Sequence, residues 1–70
     1  MDKRSMTIAG HRTSVALEPE FWAVVEALAT ARGLSLSAFV AEIDGARSPE
    51  RNLASALRVA ALAAVSRTRS

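Results

Sequence analysis

Cysteine is absent from this chain of 70 residues, and histidine occurs once, at His11. Without cysteine there are no disulfides, thiolate zinc sites or thiol nucleophiles. One imidazole builds a metal site only if several carboxylates converge on it, so neither a metal nor any other cofactor is expected. Aromatic residues are scarce as well, namely Phe21, Trp22 and Phe39. Half of the residues are hydrophobic, but 15 of them are alanine, which leaves few side chains large enough to fill a core. Domains shorter than about 80 residues normally need disulfides, a metal or a partner chain. With the first two excluded, self-association is the expected route to stability. Long apolar runs are missing too. The longest stretch without charge, Gly33 to Ala41, has nine residues, against roughly 20 for a membrane span. Neither a membrane helix nor a secretory leader is expected, and a cytoplasmic setting follows. A chain this short is one domain at most, with no room for a two-domain enzyme.

What the chain does have is segregated charge. Nine Lys and Arg against seven Asp and Glu sum to +2, distributed as +2 over residues 1–16, −4 over 17–46 and +4 over 47–70. Basic ends around an acidic middle suit a polyanion partner met by the termini. Residues 1–10 read as a flexible basic arm. Met6 and Ile8 alternate on even positions, and the parity changes to odd after Gly10, which a β-bulge or a bend produces. From His11 to Glu18 the alternation is regular, with Thr13, Val15 and Leu17 on one face and Arg12, Ser14 and Ala16 on the other. This is a half-buried strand. No second good strand is read in the chain, so its backbone groups call for a partner. The simplest partner is the same strand of a second copy, paired antiparallel about a twofold axis and burying Val15 and Leu17.

Pro19 suits a first helical position, with Glu18 and Glu20 at the positive end of the helix dipole. The first helix is predicted from about Pro19 to Arg32, burying Phe21, Val24, Val25 and Leu28 at i, i+3, i+4, i+7 spacing, with Trp22 adjacent to the stripe. Gly33 is the expected left-handed terminator. Ser35 caps a second helix, and Leu34 and Phe39 are spaced as a hydrophobic staple. That helix turns Phe39, Val40 and Ile43 inward and is predicted to stop at Gly45. Ser48 and Pro49 give a further cap and first-turn signal. A third helix follows at about 53–66, with six alanines between residues 53 and 65. Its broad, small-residue surface belongs against another helix. Residues 67–70 read as a disordered tail.

The residues Arg12-Thr-Ser-Val-Ala-Leu-Glu-Pro-Glu-Phe-Trp22 and Ala31-Arg-Gly-Leu-Ser-Leu-Ser-Ala-Phe39 resemble the ribbon-helix-helix family of DNA-binding proteins, over about residues 11–44. Beyond Asp44 the chain looks like small bacterial variants that add a helix. The resemblance implies a mainly α fold with one N-terminal β-strand, assembled as an intertwined homodimer whose strands form a two-stranded antiparallel ribbon in the major groove, plus the third helix. With the added helix included, the domain is expected to span residues 11–66. Three outward strand residues are the family's base readers, and by position these are Arg12, Ser14 and Ala16. The family's phosphate anchor at the second helix falls on Ser35, Leu36 and Ser37, and Lys3 and Arg4 on the arm add backbone contacts. Val15, Leu17, Phe21, Val25, Leu28, Phe39, Val40 and Ile43 then form the dimer core.

The expected function is therefore sequence-specific binding of a short inverted repeat in duplex DNA, as a repressor or autoregulator. The alternative is an antitoxin-like or adaptor module that docks a protein partner through the third helix. His11 with Ser14 and a carboxylate lacks any nucleophile turn or oxyanion-hole signal, so no catalytic residue and no enzyme is expected.

Overall fold

Two strands open the chain. The computed structural model describes residues 1–69, with side chains as far as Arg67. It runs β1 (Asp2–Ile8), β2 (His11–Leu17), α1 (Pro19–Ala31), α2 (Leu36–Ala46) and α3 (Leu53–Arg69). The antiparallel ribbon and the three helices follow the expected architecture, but the second strand comes from the same chain. Residues expected as a basic arm are β1, which pairs with β2 from Asp2 opposite Leu17 to Ile8 opposite His11.

The turn explains the change of parity. Ala9 and Gly10 are the only residues between the strands, with φ of 51° and 84°. A two-residue hairpin loop with positive φ at both positions has the twist that matches the flanking strands. Because Ile8 opposes His11, even positions of β1 share a face with odd positions of β2. The shift read as a bulge or bend is thus a hairpin register. Met6 and Ile8 join Val15 and Leu17 on one buried face, and the backbone groups on the edge of β2 that faces β1 are paired within the chain.

Helix α1 starts at Pro19, and the amides of Phe21 and Trp22 are taken up by the Glu18 carbonyl at 3.0 and 3.1 Å. It ends in a Schellman arrangement. The Gly33 amide donates to Thr30 and the Leu34 amide to Ala29, at 3.0 and 2.9 Å, with Gly33 at φ 69°. The buried face differs from the predicted stripe. Trp22, Val25 and Ala29 are buried, while Phe21, Val24 and Leu28 are only partly so. The helix is turned by about one residue, roughly 100°, because the indole is seated under β1 and donates from Nε1 to the Asp2 carbonyl at 2.8 Å.

Ser35 caps α2 as predicted, its Oγ accepting from the Ala38 amide at 3.1 Å. The helix does not stop at Gly45 but reaches Ala46, because Arg47 closes its end. The Arg47 amide donates to the Ile43 carbonyl, its Nε to Asp44 Oδ1 at 2.8 Å, and its guanidinium to the Arg51 carbonyl. Ser48 and Pro49 form a turn instead of a cap. The cap of α3 is Asn52, whose Oδ1 accepts from the Ser55 amide at 2.8 Å. Helix α3 buries Ala56, Leu57 and Ala61 in the common core and leaves Val59, Leu62 and Val65 exposed. It continues to Arg69 through most of the predicted tail; Ser70 lies outside the described residues. Arg58 ties α3 to the start of α1, bonding Glu18 Oε1 at 3.0 Å with its Cζ 5.9 Å from the Phe21 ring centroid. No single described helix is long and apolar enough to cross a membrane.

Candidate nucleic-acid interface

The ribbon has two unlike faces. On the face turned to the helices lie Met6, Ile8, Val15 and Leu17, all buried, and the register places Arg4 among the same rows. On the other face lie three opposed pairs: Thr7 with Arg12 nearest the turn, Ser5 with Ser14 in the middle, and Lys3 with Ala16 at the far end. Five of these six are exposed and Ala16 is half-buried. The face therefore carries two cations, three hydroxyls and a methyl, with no acidic residue. Ser5 Oγ and Ser14 Oγ are 3.0 Å apart and hydrogen-bonded to each other.

The commitments of the other cations sharpen this picture. Arg4 pairs with Glu26, Arg32 with Glu42 at 2.7 Å, Arg47 with Asp44 and Arg58 with Glu18. These pairs each join a basic residue to a helix or cap, and none of their acids is on the outer ribbon face. Lys3 and Arg12 make no ion pair among the described residues.

Of the sequence-predicted site residues, the structure brings Arg12, Ser14, Ala16 and Lys3 onto one face. Arg4, expected to act beside Lys3, is on the opposite face, where its Cζ lies 4.7 Å from the Trp22 ring centroid. Ser35, Leu36 and Ser37 begin α2, and helix geometry leaves the amides of Leu36 and Ser37 without an intrahelical acceptor. The residues assigned to a dimer core lie in the core of the single chain. Val15, Leu17, Val25, Phe39 and Val40 are buried there, and Phe21, Leu28 and Ile43 pack against them. Met6 and Ile8 from β1 and Leu57 and Ala61 from α3 complete that core. Ser5 and Thr7 were missed by sequence reasoning. The parity change across Ala9 and Gly10 was the available signal.

The Glu18 carboxyl titrates below its ordinary value. A hydrogen bond from its own backbone amide, then its contact with Arg58, hold its carboxyl below the ordinary glutamate value. No group of three or more His, Cys, Asp or Glu among the described residues is placed to hold a metal.

A two-stranded antiparallel ribbon, a helix closed by Gly33 and a Ser35-capped second helix define a family that residues 1–65 match directly, the ribbon-helix-helix domain. The chain belongs to that family, whose fold is that of DNA-binding regulators, typically without enzymatic activity and generally acting as dimers. No curated protein and no solved structure matches it.

Proposed function

We propose that this chain binds duplex DNA sequence-specifically through the outer face of its ribbon, and that it represses or autoregulates transcription from a short inverted repeat. The observation that supports this reading is the composition of that face, which is cationic and hydroxyl-rich and free of acids. The major groove admits a two-stranded ribbon and displays a different donor and acceptor pattern for each base pair. Arg12 has the fork geometry for guanine O6 and N7, Ser14 donates or accepts, and the Ala16 methyl suits contact with a thymine methyl. Lys3, at the end away from the turn, takes a phosphate. The amides at Ser35, Leu36 and Ser37 take another, since a helix N-terminus offers donors and a positive dipole end. Arg4 is not part of this surface.

Gel retardation with genomic fragments tests the reading. Wild type is expected to retard a specific fragment at low salt, and Arg12→Ala to lose that specificity with unchanged sedimentation. Wild type that retards no fragment at low salt removes the proposal.

A second copy belongs to the same reading, because the family generally acts as dimers. The strip formed by Val24 and Ala27 of α1 with Leu62 and Val65 of α3 is apolar and uncovered, and it is the surface offered to that copy. The alternative, a protein-docking module, is favoured by one observation, the 63 % exposure of Leu62 on α3. Leu62→Glu discriminates. In the first reading it splits a dimer in sedimentation, and in the second it leaves the oligomer intact and loses a partner in pull-down.

A further inference from the structure

In a ribbon made by the same strand of two copies, both rows of outward residues are identical, and whatever they read is read twice about a twofold axis. The ribbon of this chain is built differently. Its rows have unlike sequences, Thr7, Ser5 and Lys3 on β1 facing Arg12, Ser14 and Ala16 on β2. We infer that Ser5 and Thr7 are base-reading residues, so that one chain carries a complete, asymmetric reading face. The inference rests on the proposed DNA binding and extends it to a strand that the resemblance did not cover.

The geometry supports this in three ways. Directly opposed residues of an antiparallel pair share a face with their Cβ atoms about 5 Å apart, so a base edge met by Arg12 is within reach of Thr7, and one met by Ser14 within reach of Ser5. The Ser5 and Ser14 hydroxyls are already bonded to each other. An O–H···O pair keeps one proton and several lone pairs for a third group, and the two serines therefore meet the groove as a single donor and acceptor unit. Neither Ser5 nor Thr7 contributes to the core, since both are exposed and the buried positions of β1 are Met6 and Ile8. The same strand thus supplies packing on one face and hydrogen-bonding groups on the other. A dimer of such chains reads an inverted repeat whose half-sites are each asymmetric, with one ribbon per half-site.

Two measurements test the inference, and the first requires no DNA. The chain has no cysteine, so Ser5→Cys with Ser14→Cys introduces the only two thiols. Directly opposed strand residues fall within the Cα spacing that a disulfide accepts. Oxidation is expected to give a chain of monomeric mass on a non-reducing gel with no free thiol. A disulfide-linked dimer would show the ribbon to be shared between copies and overturn the inference. The second measurement selects bound duplexes from a random pool with wild type, Ser5→Ala and Thr7→Ala. Each variant is expected to lose about tenfold in preference at one base position, Thr7→Ala at or beside the one altered by Arg12→Ala and Ser5→Ala at the one altered by Ser14→Ala. If wild type enriches a sequence and both variants enrich the same one equally well, the inference fails while DNA binding stands. If wild type enriches nothing, DNA binding itself fails and the inference falls with it.

Discussion

The two faces of the ribbon share one backbone and one register, and they are made for opposite purposes. Met6, Ile8, Val15 and Leu17 are withdrawn from water, whereas Lys3, Ser5, Thr7, Arg12 and Ser14 are left in it. The difference teaches that the residues that build the core and those left to solvent alternate along the same strands. One class of residue can change without altering the other, because the period of two places them on opposite sides of the sheet.

The strongest way to break this separation is from beneath. Trp22 is 1 % exposed and its indole donates to the Asp2 carbonyl, so Trp22→Ala is expected to cost about 3–5 kcal/mol. That is a large share of the stability of a small domain. Chemical denaturation followed by circular dichroism reads this loss, and Trp22→Phe, which keeps most of the packing and removes the donor, should lose far less.

Next come paired substitutions on one strand. Leu17→Ala is expected to destabilise by about 2–5 kcal/mol. Arg12→Ala should stay within about 0.5 kcal/mol of wild type, yet forfeit about 1–3 kcal/mol of discrimination at one base pair. Denaturation and gel retardation measured side by side decide this. An Arg12→Ala protein as unstable as Leu17→Ala would mean that the outer face is structural.

A smaller effect, and one of opposite sign, belongs to the turn. Ala9 adopts φ 51°, where a Cβ is disfavoured, and asparagine before glycine is the sequence preferred in such loops. Ala9→Asn is expected to raise stability by roughly 0.5–1 kcal/mol, seen as a higher denaturation midpoint with unchanged slope. The smallest effect is that of acid on Glu18. Its carboxyl titrates below the ordinary value, so its contribution is present above the ordinary glutamate range and disappears as pH falls through the lowered value. Both partners of the Glu18–Arg58 pair are partly exposed, so the effect is slight. Glu18→Gln should flatten the acid limb of a stability profile without moving its upper part.

Much of this architecture was legible in the residues themselves. The alternation of Thr13, Val15 and Leu17, the Gly33 terminator and the Ser35 cap rest on local backbone chemistry, and each appears where the sequence puts it. What escaped depended on partners distant in sequence. The charged residues Asp2, Lys3 and Arg4 hid a strand whose apolar face consists of Met6 and Ile8 alone. Only the pairing with β2 turns these two into a continuous surface. The rotation of α1 follows from the same strand, since Trp22 is drawn inward by a carbonyl 20 positions away. Gly45 remained helical because Arg47 supplied hydrogen bonds that no propensity encodes, and Asn52 was overlooked beside the more conspicuous Ser48 and Pro49. Of the proposed interface, β2 was readable as a strand and β1 was not, so four of the six face residues were predicted and Ser5 and Thr7 were missed.

Trp22 is the only tryptophan in the chain, and it is seated where β1 meets α1. The protein therefore contains a single tryptophan fluorophore at the joint between its ribbon and its helical body. If the ribbon lifts away, the indole loses its carbonyl acceptor and the guanidinium of Arg4 together and enters water, shifting its emission to longer wavelength. The seating of the ribbon can thus be followed optically, without a label, while the outer face is occupied.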